Sequence, residues 1–377
     1  MTSVDGGLLG LLVAVFVAAA VLAFALTPVV RRLAHRFDIV DRPDARRVNV
    51  APVPRGGGLA VAAAFIAVSG GALLLASGQG LVDTTTLSGP QLLALLGGGA
   101  LAAILGSVDD WFDLRARWQL AGQLVLAAFA VSLGITVAVL ANPFGPGVIE
   151  LGGLFGVAFT VVWILGMVNS INFIDGLDGL SSGIALIAAV TLGVISLVGP
   201  DVQPEIAVLC LALAGSLAGF LRWNFHPAAI FVGTSGVMFI GYALALLSIL
   251  GAAKVAVALL VLGVPVIDAF WIIVRRVVAG RSPFSPDRGH IHHRLLDLGL
   301  THTQTVLLIY ALCAALGVLS LVLSGSGQLY AFLGVLVVFG LVLLLLERLA
   351  DKGEEVAEAR AGEQAEAQAG EQAQARR

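Results

Sequence analysis

Windows of roughly twenty mostly apolar residues recur along this chain, the length a helix needs to cross a bilayer. About eleven such windows can be read, centred near residues 18, 67, 99, 130, 160, 188, 213, 239, 262, 314 and 338. The stretch from 229 to 273 can be divided in more than one way. At 377 residues the chain is long enough for two soluble domains, but 59% hydrophobic and only 12% charged residues exclude a soluble fold. The fold class predicted is an all-α polytopic integral membrane protein. Asp5 precedes the first window and no basic residue does, so that window lacks the basic flank of a cleaved secretion signal and is expected to be retained. The 46 glycines suit helices that pack closely through small residues, and a GC-rich genome explains them equally well. Cys210 and Cys313 lie inside windows and say little about redox compartment.

Charge fixes an expected orientation. With alternating spans, of the 21 lysines and arginines only Lys254 falls on one face. The positive-inside bias then puts the amino terminus outside and the carboxyl terminus in the cytoplasm. Residues 1–350 read as one transmembrane domain, with cytoplasmic loops near 31–56, 109–118, 169–180, 222–236 and 275–303. Residues 351–377 read as a polar cytoplasmic tail rich in Glu, Ala and Gln, a solvated helix or disorder. No internal repeat of the transporter kind is evident.

Polar residues near a membrane are costly and point to sites. Asp109, Asp110 and Asp113 close the third span, and helical spacing puts Asp113 on the face of the first two. Carboxylates this close invite a shared cation or a tuned general base, or else form a hydrated helix end. In NSINFIDGLDG, Asn169, Asn172, Asp175 and Asp178 come at steps of three, so on one helix they cannot share a face. Asn172 with Asp175 is the preferred pair, because glycines at 176 and 179 loosen the helix beyond them. An Asn/Asp/Gly turn with local hydrogen bonds is the alternative. The turn Gly233-Thr234-Ser235-Gly236 can offer backbone amides to a phosphate. The last long loop collects Arg275, Arg276, Arg281, Arg288 and Arg294 around His290, His292 and His293. Arginines repel a metal and attract phosphate, so anion binding is favoured over zinc there. Acids for a divalent cation and bases for phosphate oxygens, on one membrane face, are what phosphoryl transfer needs.

These segments, in this order, resemble the polyprenyl-phosphate N-acetylhexosamine-1-phosphate transferases, the group that includes the phospho-N-acetylmuramoyl-pentapeptide transferase of peptidoglycan synthesis. The likeness runs from about Asp38 to Gly299, and NFIDGLDGL between an upstream Asp-Asp and a downstream His-Ile-His-His is its most specific part. The wording is closer to the branch that uses UDP-N-acetylglucosamine or a related UDP-sugar. The resemblance implies transfer of the sugar 1-phosphate from a UDP-sugar to undecaprenyl or decaprenyl phosphate, with release of UMP and with Mg²⁺ or Mn²⁺. That would be the first membrane step of cell-envelope glycan synthesis, in the bacterial plasma membrane with the active site facing the cytoplasm.

Carried over by position, it implies Asp109, Asp110 and Asp175 as catalytic residues and Asn172 with Asp175 as metal ligands. Arg47, Asn169, Asn224, Arg288, His290, His292 and His293 would bind substrate. The partners implied are the UDP-sugar, the polyprenyl phosphate and membrane lipid, with a homodimer as a candidate and no nucleic acid. Four segments depart from the family pattern: Thr234 replaces its metal-binding aspartate, Gln119 a lysine, Ala229 a lysine, and Arg46-Arg47-Val48-Asn49 stands for Arg-Lys-x-His. An impaired homologue that binds lipid phosphate or nucleotide is therefore the alternative expectation, and a transporter or channel a third.

Overall fold

The computed structural model describes residues 6–42, 52–78, 87–142, 144–145, 147–198, 202–251, 254–278, 280, 282 and 289–345. Arg47, Arg281, Arg288 and the tail 351–377 lie outside these residues. The chain divides into two compact units, Met1–Leu333 and Gly334–Arg377. The helices α1 to α12 and the polar loops between them all belong to the first.

The fold is all-α and polytopic. In chain order its helices are α1 (Gly6–Arg36), α2 (Gly58–Gly78), α3 (Gly89–Phe112), α4 (Ala116–Ser132), α5 (Gly153–Ile174), α6 (Leu180–Val198), α7 (Pro204–Asn224), α8 (Gly233–Leu250), α9 (Lys254–Val261), α10 (Gly263–Val278), α11 (Ile291–Asp297) and α12 (His302–Val322). Two antiparallel hairpins join them: β1 (Val40–Asp41) with β2 (Val53–Pro54), and β3 (Val139–Ala141) with β4 (Val148–Glu150). Among the described residues nine helices are long and apolar enough to cross a membrane, counting Ser326–Leu345, or ten if α9 and α10 form one span. That pair bends by 83°, and its break falls at residue 262. The window near 130 belongs to α4, which has 17 residues.

Burial separates the middle of the bundle from its lipid face. In α7 and α8, 78% of the apolar window is buried, against 28% in α1 and 33% in α12. Small residues allow the close approaches that hold membrane helices together, where lipid removes any hydrophobic drive. Gly215 and Gly219 of α7 press on the backbone of α1, so that a β-carbon at either would overlap the carbonyl of Phe16 or Ala20. Tyr242 of α8 donates to the carbonyl of Ala94 in α3 at 2.8 Å. Trp111, Phe112 and Trp118, exposed where α3 meets α4, form the amphipathic rim expected at a lipid–water boundary.

One end of the bundle gathers the polar loops. There the carboxyl ends of α3, α5 and α7 meet the amino ends of α2, α6, α8 and α12 around a common cavity. The segment after β2 is laced to the α7–α8 loop by backbone bonds, with Phe231 donating to Pro54, and Gly57 and Gly58 donating to Phe231 and Val232.

Candidate active site

The cavity encloses about 540 Å³, within the usual range for a small-molecule site. Asp110, Asn172, Asp175, Asn224 and His293 of the sequence-predicted set line it. Each owes its place to the way an element ends.

Asp110 sits in the last turn of α3 and aims at the start of α8. Its Oδ1 accepts from the Thr234 amide at 2.7 Å and its Oδ2 from the Ser235 amide at 3.0 Å, a carboxylate seated on a helix amino terminus. These amides are therefore already engaged, which corrects the expectation that the Gly233-Thr234-Ser235-Gly236 turn offers them to a phosphate. Gly233 has φ +73°, and a β-carbon there would lie 2.6 Å from the Asp110 carboxylate. Only glycine meets both demands.

Asp109 is not among the cavity residues. Its Oδ1 accepts from the Leu114 amide at 3.1 Å and from Gln119 Nε2 at 2.9 Å, so the Asp109–Asp110 pair is divided between two tasks. Asp113 leaves the face it was expected to share, because α3 ends at Phe112 and Asp113 caps it in the left-handed region at φ 51°.

The next acidic segment departs from helical geometry at the point that matters. α5 ends at Ile174 and Asp175 caps it with ψ 50°, while Gly179 turns the chain at φ +78°. Asn172, Asp175 and Asp178 all line the one cavity, Asp175 from the helix cap and Asp178 from the turn beyond it. Asn169, inside α5, instead pairs with Gln123 of α4 through Nδ2 to Oε1 at 2.7 Å and is not among the cavity residues. Asp175 Oδ1 accepts from Ser181 at 2.5 Å. Burial pushes the Asp175 carboxyl up to about 6, with the negative charges of Asp110 and Asp178 adding to the rise.

Asn224 lines the cavity while tying three segments together, accepting from Ser182 at 2.5 Å and donating to the Ile230 carbonyl at 3.0 Å. The three histidines expected to act together are dispersed in role. His290 caps α11 and bonds through Nδ1 to Asp268 Oδ2 at 2.7 Å, while the Ile291 amide donates to Asp268 Oδ1 at 2.9 Å. His292 is buried over Gly176 with both ring nitrogens lacking a hydrogen-bond partner. Burial, helped by the neighbouring histidines, lowers it well below its usual range and keeps it neutral. His293 alone of the three lines the cavity.

Several cavity residues carried no signal strong enough to select them. Arg55, ion-paired with Asp41 across the β1–β2 hairpin, appeared only among the many basic residues. His226 and His302 are single histidines in segments of ordinary spacing. Asp178 ranks behind Asp175 in the sequence because Gly176 and Gly179 loosen the helix beyond Asp175, yet the turn they form delivers Asp178 to the cavity.

Comparison with known proteins adds an independent line. A family model described as glycosyl transferase family 4 matches residues 92–252. The chain is 36% identical over 340 residues to a Bacillus subtilis protein named as a probable undecaprenyl-phosphate N-acetylglucosaminyl 1-phosphate transferase, covering 89% of this chain and 90% of that one. It is 37% identical to the decaprenyl-phosphate N-acetylglucosaminephosphotransferase of Mycolicibacterium smegmatis, over 87% and 86% of the two chains. It is 30% identical to the undecaprenyl-phosphate alpha-N-acetylglucosaminyl 1-phosphate transferase of Thermotoga maritima, over 89% and 97%.

Proposed function

The chain belongs to glycosyl transferase family 4, and from that membership and the chemistry of the cavity we propose that it transfers N-acetylglucosamine 1-phosphate from its UDP-sugar to a polyprenyl phosphate, releasing UMP. One observation carries this reading. The oxygen donors Asn172, Asp175 and Asp178 share a single cavity with the bases Arg55 and His293, which is what bringing two phosphates together requires. The arginine distribution supports a cytoplasmic position for that cavity in the plasma membrane.

In the proposed reaction, a non-bridging oxygen of the lipid phosphate forms a bond to the phosphorus nearer the sugar. The bond from that phosphorus to the bridging oxygen breaks, and UMP leaves with the electron pair. Asp175, poised near pH 6, takes the residual proton of a lipid phosphate whose own second ionisation lies at about 6. Burial holds the Asp175 carboxyl up, and Asp110, fixed by two amides, adds to that rise. Arg55 and His293 orient phosphate oxygens. Asn172 and Asp175 offer the hard oxygen donors that Mg²⁺ or Mn²⁺ takes, and the one Asp175 oxygen outside its bond to Ser181 would serve the ion or the proton in turn, not both at once. Such an ion, when bound, would neutralise charge on the donor diphosphate.

The test is UMP release by the purified protein with UDP-N-acetylglucosamine, undecaprenyl phosphate and Mg²⁺ or Mn²⁺. Asp175→Asn is expected to lower turnover by at least ~100-fold, and unchanged turnover would remove Asp175 from the mechanism. A second reading comes from Thr234, a neutral hydroxyl lining the cavity where a carboxylate is usual in the family. If the parent binds nucleotide or lipid phosphate yet stays silent while Thr234→Asp turns over, the protein is a binding homologue.

A further inference from the structure

We propose that Asp178, His226 and His302 form a site for a divalent transition metal of the zinc type, separate from the pair assigned to Mg²⁺, with its remaining coordination position open to the cavity. The three residues come from three places in the chain: the α5–α6 turn, the α7–α8 loop and the first residue of α12. One potential ligand atom from each lies within 4.8 Å of the other two. Tetrahedral ligands at about 2.1 Å from a common ion lie ~3.4 Å apart, so side-chain movements of up to about an ångström close the set.

The orientation of each group favours a cation. His226 and His302 stack with ring centroids 4.2 Å apart and planes within 20°, which brings two imidazoles to one point. Asp178 is held by the Ala228 amide at 3.1 Å and by His226 Nδ1 at 2.7 Å, both on Oδ2. The Ala228 amide supplies the fixed outer hydrogen bond that metal-binding carboxylates use, and the His226–Asp178 contact marks the place that a shared cation would take between the two. Both ring nitrogens of His302 are shut off from solvent and lack any hydrogen-bond partner. An imidazole nitrogen in that state is unfavourable until something with an empty orbital or a proton meets it. The only arginine among the described cavity residues, Arg55, is paired with Asp41 and does not oppose a cation.

Two imidazoles and one carboxylate select the metal by softness. Mg²⁺ takes oxygen donors and holds its water, whereas nitrogen-rich sets bind Zn²⁺. A site with three protein ligands keeps a position for an exchangeable oxygen, here a water or a phosphate oxygen in the cavity. The assignment does not depend on the transfer reaction, since metal content is measurable whether or not the protein turns over.

The experiment is metal analysis of the full-length, tag-free protein, stripped with chelator and then equilibrated with Zn²⁺ in millimolar Mg²⁺. The parent is expected to retain ~1 Zn²⁺ per chain, and Co²⁺ in its place to give the visible absorption of a four-coordinate ion. His302→Ala and His226→Ala should fall to background, and His293→Ala should not. Because an alanine variant can fail to fold, His302→Cys is the companion: it should keep zinc and add a sulfur-to-cobalt charge-transfer band. No zinc above background in the parent, zinc that survives His302→Ala, or His302→Cys with cobalt but without the sulfur band would each overturn the site.

Discussion

Asp109 and Asp110 are adjacent and chemically identical, yet they do different things, because consecutive residues on a helix point about 100° apart. Asp110 uses both oxygens on α8, and Asp109 uses one oxygen for two donors. Asp110→Asn sets an amide against an amide and should destabilise by about 1–3 kcal/mol. Asp109→Asn keeps its acceptor oxygen and should change stability by less than about 1 kcal/mol. Thermal melts of the detergent-solubilised variants separate the two. Asp175 gives the pH prediction. With no cation on it, its folded value of about 6 means the carboxylate needed as a base is lost as pH falls through 6 and is nearly complete above 7, and a cation shared with Asn172 would move that loss to lower pH. Turnover should therefore drop on the acid side of about pH 6 and be flat from 7 to 8, measured at saturating substrate. Of the residues the sequence singles out, Asp110, Asn172, Asp175, Asn224 and His293 line the cavity. The sequence could not divide the aspartate pair, since adjacency says nothing of partners 124 positions away.

Element ends decided what the spacing rules missed. Running α3 on to Asp113 misplaces that aspartate, because α3 stops at Phe112, whereas α5 does end just before Asp175, ahead of the glycines expected to loosen the helix. Glycine signals nearby were legible, but their dihedral angles were not. Gly233→Ala should be destabilising by at least about 1–2 kcal/mol, the cost of a β-carbon in the left-handed region, with the clash on Asp110 adding to it. A lowered melting temperature checks this. At the other rim, α10 and α11 are joined through Asp268, buried and bonded to both His290 and the Ile291 amide. Asp268→Ala should loosen the His290–His293 turn, and limited proteolysis should then cut between residues 279 and 300 faster than in the parent. The sequence pointed to those histidines as one phosphate-binding group, because spacing cannot reveal that one is a tether, one is buried and one faces the cavity.

On the scale of the whole molecule, apolar length made the spans legible almost everywhere, and the exceptions are physical. α4, with 17 residues, stands at the short end of what a span needs, and the α9–α10 bend interrupts an apolar run without any loss of hydropathy. Orientation is open to direct measurement, because Cys210 and Cys313 are buried and should give little background. Glu150→Cys, in the exposed β4 strand, should react with an impermeant maleimide added to intact cells. Arg117→Cys should react only after lysis, and the reverse pattern would invert the topology. The contact between α1 and α7 has a consequence for biogenesis. Phe16 meets Gly215, so α1 leaves the ribosome roughly two hundred residues before its partner, about 10–40 s at ordinary rates of synthesis. During that interval α1 must live as a lone helix in lipid. It can, since its backbone bonds are satisfied within itself and most of its surface is apolar, and the groove it will fill in α7 asks only that acyl chains step aside.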